Sequence, residues 1–181
     1  MVVVSTFSEL MDRLRIKVAS PDGTVKLRFD SKGAAIVLTE GCLERHSEQS
    51  LAAAVDRCLE SLSRAYDSAK DGIFDKSGGA PAVERRGVRK DDRLERYWAE
   101  LAAIRVQGIS SRGFVTMERV QGRVTTVVAP RALTRCNTGD MEAELNGALS
   151  EVSQRYSAAV TAAYCREYFT VEVAKLPPFL G

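Results

Sequence analysis

The side chains whose type and spacing best suit chemistry are cations. Lys26 and Arg28 alternate along one short run, with Arg15, Lys17 and Lys32 near them. Arg85, Arg86, Arg89 and Lys90 form a second cluster, and Arg105, Arg112, Arg119 and Arg123 a third. Such groups neutralise phosphates, giving an affinity that is indifferent to base sequence and sensitive to salt. Asp22, Asp30, Glu84 and Glu118 interrupt the clusters. The competing role for charge on strands is to guard sheet edges against mispairing. The formal net charge is only +2, and residues 91–181 balance 11 Lys/Arg with 11 Asp/Glu. That surplus does not impose nucleic acid as a partner, because its binders usually carry a clear basic footprint.

Other chemistries find less support. His46 is the single histidine and stands just before a helix start, so a solvated or capping role is expected of it. Cys42, Cys58, Cys136 and Cys165 form no CxxC pair and lie away from zinc-ligand spacing. Cys58 falls on an apolar helix face, where a thiol is buried and inert. Ser77-Gly78-Gly79-Ala80 lacks the Gly-Lys-Ser/Thr ending that grips phosphate. The carboxylates sit mostly on polar helix faces, and Glu60–Arg64 has surface-pair spacing. No enzyme, cofactor, metal or small-molecule substrate is expected. No apolar run approaches a membrane span, and Met1-Val2-Val3-Val4 is too short for a signal-peptide core. The expectation is a cytoplasmic protein with reduced thiols.

The elements that position these residues follow from periodicity. Phe7, Leu10, Met11 and Leu14 recur at helical spacing over residues 5–14. Ile16, Val18, Val25, Leu27 and Phe29 alternate around Ser20-Pro21-Asp22-Gly23, which predicts a hairpin. Ala34 to Thr39 reads as a third strand, and residues 47–70 as a helix with Leu51, Val55, Cys58, Leu59, Leu62 and Tyr66 on one stripe. Residues 71–90 break the pattern as a linker. A second helix stripe of Leu94, Tyr97, Trp98, Leu101 and Ile104 follows, then strands near 105–110, 113–119 and 123–129 and a long helix over 140–169. Core packing is expected for Tyr97 and Trp98. Residues 171–181 form a tail.

That order is the same pattern written twice. Adding 90 carries Phe7 to Tyr97, Ser20 to Ser110, Gly23 to Gly113, Val25 to Val115, Leu59 to Leu149 and Tyr66 to Tyr156. One structural unit used twice is implied. Each unit, 1–70 and 91–170, is near the size at which a lone core is marginal. The expected fold is α+β, with two tandem α-β-β-β-α units, antiparallel sheets and flanking helices, related by a pseudo-twofold axis.

Gly23-Thr24-Val25-Lys26-Leu27-Arg28-Phe29, Gly33 and the strand to Leu43, and then Ser50-Leu51-Ala52-Ala53-Ala54-Val55 opening a helix to Tyr66, together resemble the YbaB/EbfC family of bacterial nucleoid-associated proteins. The second copy offers Gly113-Phe114-Val115-Thr116-Met117, Gly122-Arg123-Val124 and Glu144-Leu145 to Tyr156. The resemblance implies a non-enzymatic DNA-binding protein with little sequence preference, located at the nucleoid when DNA-bound, and here a dimer made covalent. Its candidate contacts are Lys26, Arg28, Arg85, Arg86, Arg89, Lys90, Arg112, Arg119 and Arg123. YbaB-like units also accompany type VII secretion. The alternative expectation is therefore a protein-interaction or self-associating module accessory to such a system, without DNA contact.

Overall fold

The computed structural model describes residues 7–76 and 92–168. In the first half a short helix α1 (Phe7–Asp12) precedes strands β1 (Ile16–Ala19), β2 (Val25–Asp30) and β3 (Gly33–Leu38) and the long helix α2 (Glu48–Lys76). In the second, α3 (Asp92–Ala103) precedes β4 (Arg105–Ile109), β5 (Val115–Val120) and β6 (Arg123–Val128), and α4 (Thr138–Tyr168) is the last described element. The strands form two separate antiparallel three-stranded sheets, ordered β1-β2-β3 and β4-β5-β6. The fold is α+β with two tandem units, as the duplication implies. Helix α2 continues through Gly72 to Lys76, past its expected end at Lys70.

The duplication reaches the backbone hydrogen bonds. Ser20 N–H donates to Val25 O and Thr39 N–H to Thr24 O; 90 positions on, Ser110 N–H donates to Val115 O and Ala129 N–H to Phe114 O. Before α2 and α4, Leu51 N–H donates to Ser47 O and Met141 N–H to Asn137 O. At both first turns a serine hydroxyl accepts the same amide, Val25 N–H on Ser20 and Val115 N–H on Ser110, each at 3.0 Å.

A single hydrophobic core joins the halves. Val25, Leu27, Ile36, Leu51 and Val55 belong to the same buried cluster as Val115, Met117, Met141, Leu145 and Val152. Each such side chain contributes roughly 1.5–3 kcal/mol on burial, so neither half relies on its own small core. Helix α4 packs on β4 and β5 of its own half and on β3 of the other, while α2 packs on β1, β2 and β6. Each long helix therefore bridges the two sheets.

Helix α4 also covers strand edges. Asn146 accepts the Ile36 N–H on Oδ1 and donates Nδ2 to Ile36 O, both at 2.8 Å, and Glu142 accepts the Leu38 N–H at 2.9 Å. On its other flank Glu151 accepts the Ile109 N–H, and Arg155 donates to Gln107 O at 2.9 Å. Unpaired strand edges are the usual starting point for aggregation, and here side chains satisfy them.

Besides the turn before the third strand, where Gln121 takes φ 50° and its counterpart Ser31 does not, the halves differ at two further backbone positions. Gly108 replaces Val18 and lets α4 lie directly on β4: a Cβ there would overlap the Ala148 carbonyl and sit 2.5 Å from the Val152 nitrogen. After the third strand, the first half places Gly41 at φ 71°, whereas the second forces Arg131 to φ 62°.

Candidate nucleic-acid interface

Alternation along β2 sends Val25 and Leu27 into the core and Lys26 and Arg28 to solvent. The sheet register sets Lys17 directly across from Arg28, and Ala19 across from Lys26. Lys17, Lys26 and Arg28 thus share the outward face of the first sheet, all exposed. Among the described residues none of the three meets a carboxylate at ion-pair distance. Like charges facing one another across a strand pair are destabilising, and among the described residues no ion pair relieves them.

The second sheet lacks this patch. The positions equivalent to Lys17, Lys26 and Arg28 hold Gln107, Thr116 and Glu118. Glu118 faces Arg105 at 3.8 Å. Ile109 and Val127 flank Thr116 across the register and are 47% and 62% exposed, so this face is neutral and partly apolar.

The remaining candidate cations are dispersed. Arg112 lies 4.7 Å over the Phe114 ring, 3.7 Å from Asp140, and donates to Arg135 O. Arg123 pairs with Glu60 of α2 at 3.5 Å. Arg119 shares the inward parity of Val115 and Met117; its guanidinium lies 3.6 Å over the Tyr156 ring. The structure therefore brings Lys26 and Arg28 together with Lys17 and separates them from Arg112, Arg119 and Arg123. Arg85, Arg86, Arg89 and Lys90 lie outside the described residues.

His46 takes the capping one of its two expected roles, whereas the anchoring by Glu144 and the exposure of Trp98 have no signal in the sequence. His46 is not solvated: its side chain is 7% exposed, with Nε2 at 2.7 Å from Thr24 Oγ1 and 3.1 Å from Asp22 Oδ2. Nδ1 lies 3.0 Å from Ser50 Oγ. Ser50 Oγ is itself engaged at the start of α2, accepting the Ser47 N–H at 2.9 Å and donating to Ser47 O, while Ser47 Oγ accepts the Ser50 N–H. This Asp-His-Ser alignment is thus a helix cap tied to a turn. The Ser20 hydroxyl chiefly, then Thr24 and His46, hold the Asp22 carboxyl down at about 2. Glu144 does the matching work in the second half from α4. Burial opposes its charge, but bonds from the Ser110 and Ser111 hydroxyls and the Arg112 and Phe114 amides outweigh that and lower its pKa. Trp98, expected in the core, is 61% exposed. Its neighbour Tyr97 instead packs edge-on against Tyr164 and Tyr168 of α4.

Among the described residues no cluster of His, Cys, Asp or Glu has metal-binding geometry, and no helix is long and apolar enough to cross a membrane. No protein-family model, curated protein or solved structure matches the chain.

Proposed function

We propose that this is a non-enzymatic, YbaB/EbfC-like protein that binds duplex DNA without sequence preference and acts in the cytoplasm at the nucleoid. Its two halves stand as the subunits of a fused dimer about a pseudo-twofold axis. The observation that carries the reading is the unneutralised pair of Lys17 and Arg28, with Lys26 beside them, on an exposed sheet face. A flat row of cations that repel one another is stabilised when phosphates arrive. Cations on a strand face touch the backbone and read no base edge, which gives affinity without specificity. Only the first half keeps the row, so the fused molecule has one basic face where a symmetric dimer would have two.

The test is fluorescence anisotropy of random-sequence duplex across a salt series. Each phosphate contact contributes about −0.9 to the slope of log affinity against log salt. Replacing Lys26 and Arg28 by Ala flattens that slope by roughly two contacts' worth if both touch phosphate. Folded wild-type protein that binds no duplex at low salt refutes the proposal.

A second reading has its own observation. The exposed Ile109 and Val127 row on the other sheet suits a protein partner, as in a secretion-accessory module. Val127→Lys then abolishes partner co-purification while leaving DNA affinity unchanged.

A further inference from the structure

We propose that the groove between α2, α4 and the β5–β6 turn is a binding site for a small amphipathic organic anion, whose apolar body lies on the groove floor and whose acidic head is held by Arg119. The groove encloses about 840 Å³, within the range of small-ligand sites. Its floor is built by both halves at equivalent positions, Leu59 with Leu149 and Leu62 with Val152. An apolar surface where two helices part offers burial to a ligand body of matching size.

Of the charged groups around that floor, Arg57 is exposed at the rim and makes no ion pair among the described residues, while Arg119 alone shares the inward parity of the sheet. Glu60 is committed to Arg64 at 2.6 Å and to Arg123 at 3.5 Å. Asp56 turns toward Thr126. Among the described residues Arg119 has no such partner: it stacks on Tyr156, and its Nε is buried with no hydrogen-bond acceptor. Stacking occupies a face of the guanidinium and Nε is sealed from solvent, which leaves the terminal in-plane N–H groups to grip carboxylate or sulfonate oxygens.

The duplication provides an internal control. The position equivalent to Arg119 in the first half is Phe29, which packs edge-on against Tyr66 with ring centroids 5.3 Å apart. The fold therefore accepts an aromatic residue at this point, and nothing in the scaffold demands a charge. A buried donor left unsatisfied is unfavourable. An arginine placed there beside an apolar groove is what capture of an acidic head requires.

The probe is 8-anilinonaphthalene-1-sulfonate, compared with N-phenyl-1-naphthylamine, which has the same rings without the sulfonate. Fluorescence titration of the full chain is expected to give saturable single-site binding of the sulfonate. Arg119→Met is expected to weaken it by roughly ten- to a hundredfold, the worth of a charge-assisted hydrogen bond, with the neutral analogue changed far less. Equal loss for both dyes, or no loss for either, overturns the proposal. If Arg119→Met fails to fold, the Arg119 Nε–H resonance of the wild-type protein decides. A shift on adding the sulfonate supports the site, and its absence with saturating dye refutes it.

Discussion

Asp56→Asn is expected to stabilise this protein, and the two halves of the molecule say why. Asn146 of α4 makes three bonds: it accepts the Ile36 N–H and donates to Ile36 O and Glu142 O, the last at 2.9 Å. Ninety positions earlier on α2 stands Asp56, facing Thr126, the counterpart of Ile36. A carboxylate accepts from the strand but has nothing to donate to a carbonyl. Its Oδ1 is buried without a partner. Burial pushes the Asp56 carboxyl above its ordinary 3.8, against the pull of the Thr126 bonds and the Arg123 charge. An amide restores the two donated bonds that Asn146 shows. At about 0.5–1.5 kcal/mol net for each bond, the gain is about 1–3 kcal/mol at neutral pH. The sign with pH follows from the raised folded-state value. The native state binds its proton more tightly than the unfolded chain, so ionisation penalises folding. The wild-type deficit is full above the folded-state value, shrinks as pH falls from there toward 3.8, and is gone below it. Urea denaturation of both proteins, at neutral pH and near pH 4, measures the gap. An Asn variant no more stable than wild type at neutral pH refutes the reasoning, as does a gap that ignores pH.

Further outcomes follow from the same comparison of halves. Gly108→Ala drives a methyl into the Ala148 carbonyl and the Val152 amide. Backbone atoms cannot swing aside, so a loss of about 3 kcal/mol or more is expected in the urea midpoint. Arg131→Gly relieves the left-handed backbone that Gly41 adopts without strain in the first half, and raises stability by about 1 kcal/mol by calorimetry. Asp22→Asn lowers stability at neutral pH by removing the Ser20, Thr24 and His46 contacts. Because those contacts depress its pKa, the difference from wild type is present above 3.8 and disappears as pH falls through about 2. A pH-independent difference in an acid titration series contradicts this.

Much of the architecture was legible in the chain because its signals are local. Leu51, Val55, Cys58 and Leu62 recur at helical spacing and are all buried, and Val25 and Leu27 alternate inward against Lys26 and Arg28 as a two-residue period dictates. The same parity put Arg119 inward beside Met117, but its charge argued for solvent, and parity prevailed. Trp98 failed in the opposite sense: it shares the α3 stripe, yet α4 accommodates Tyr97 and leaves the indole outside.

The duplicated order of helix, three strands and helix is written in the chain, since periodicity and turn residues act between near neighbours along it. Which surfaces meet is settled by long-range packing. That α4 would seal the β3 edge through Asn146 and Glu142, that Asp22, His46 and Ser50 would converge, and that Arg119 would border a groove shared by both halves depend on residues far apart in the chain. Hydrophobic burial is non-directional: it requires that the two apolar helix faces be covered, and the choice of strand edge falls to the few polar groups able to satisfy it.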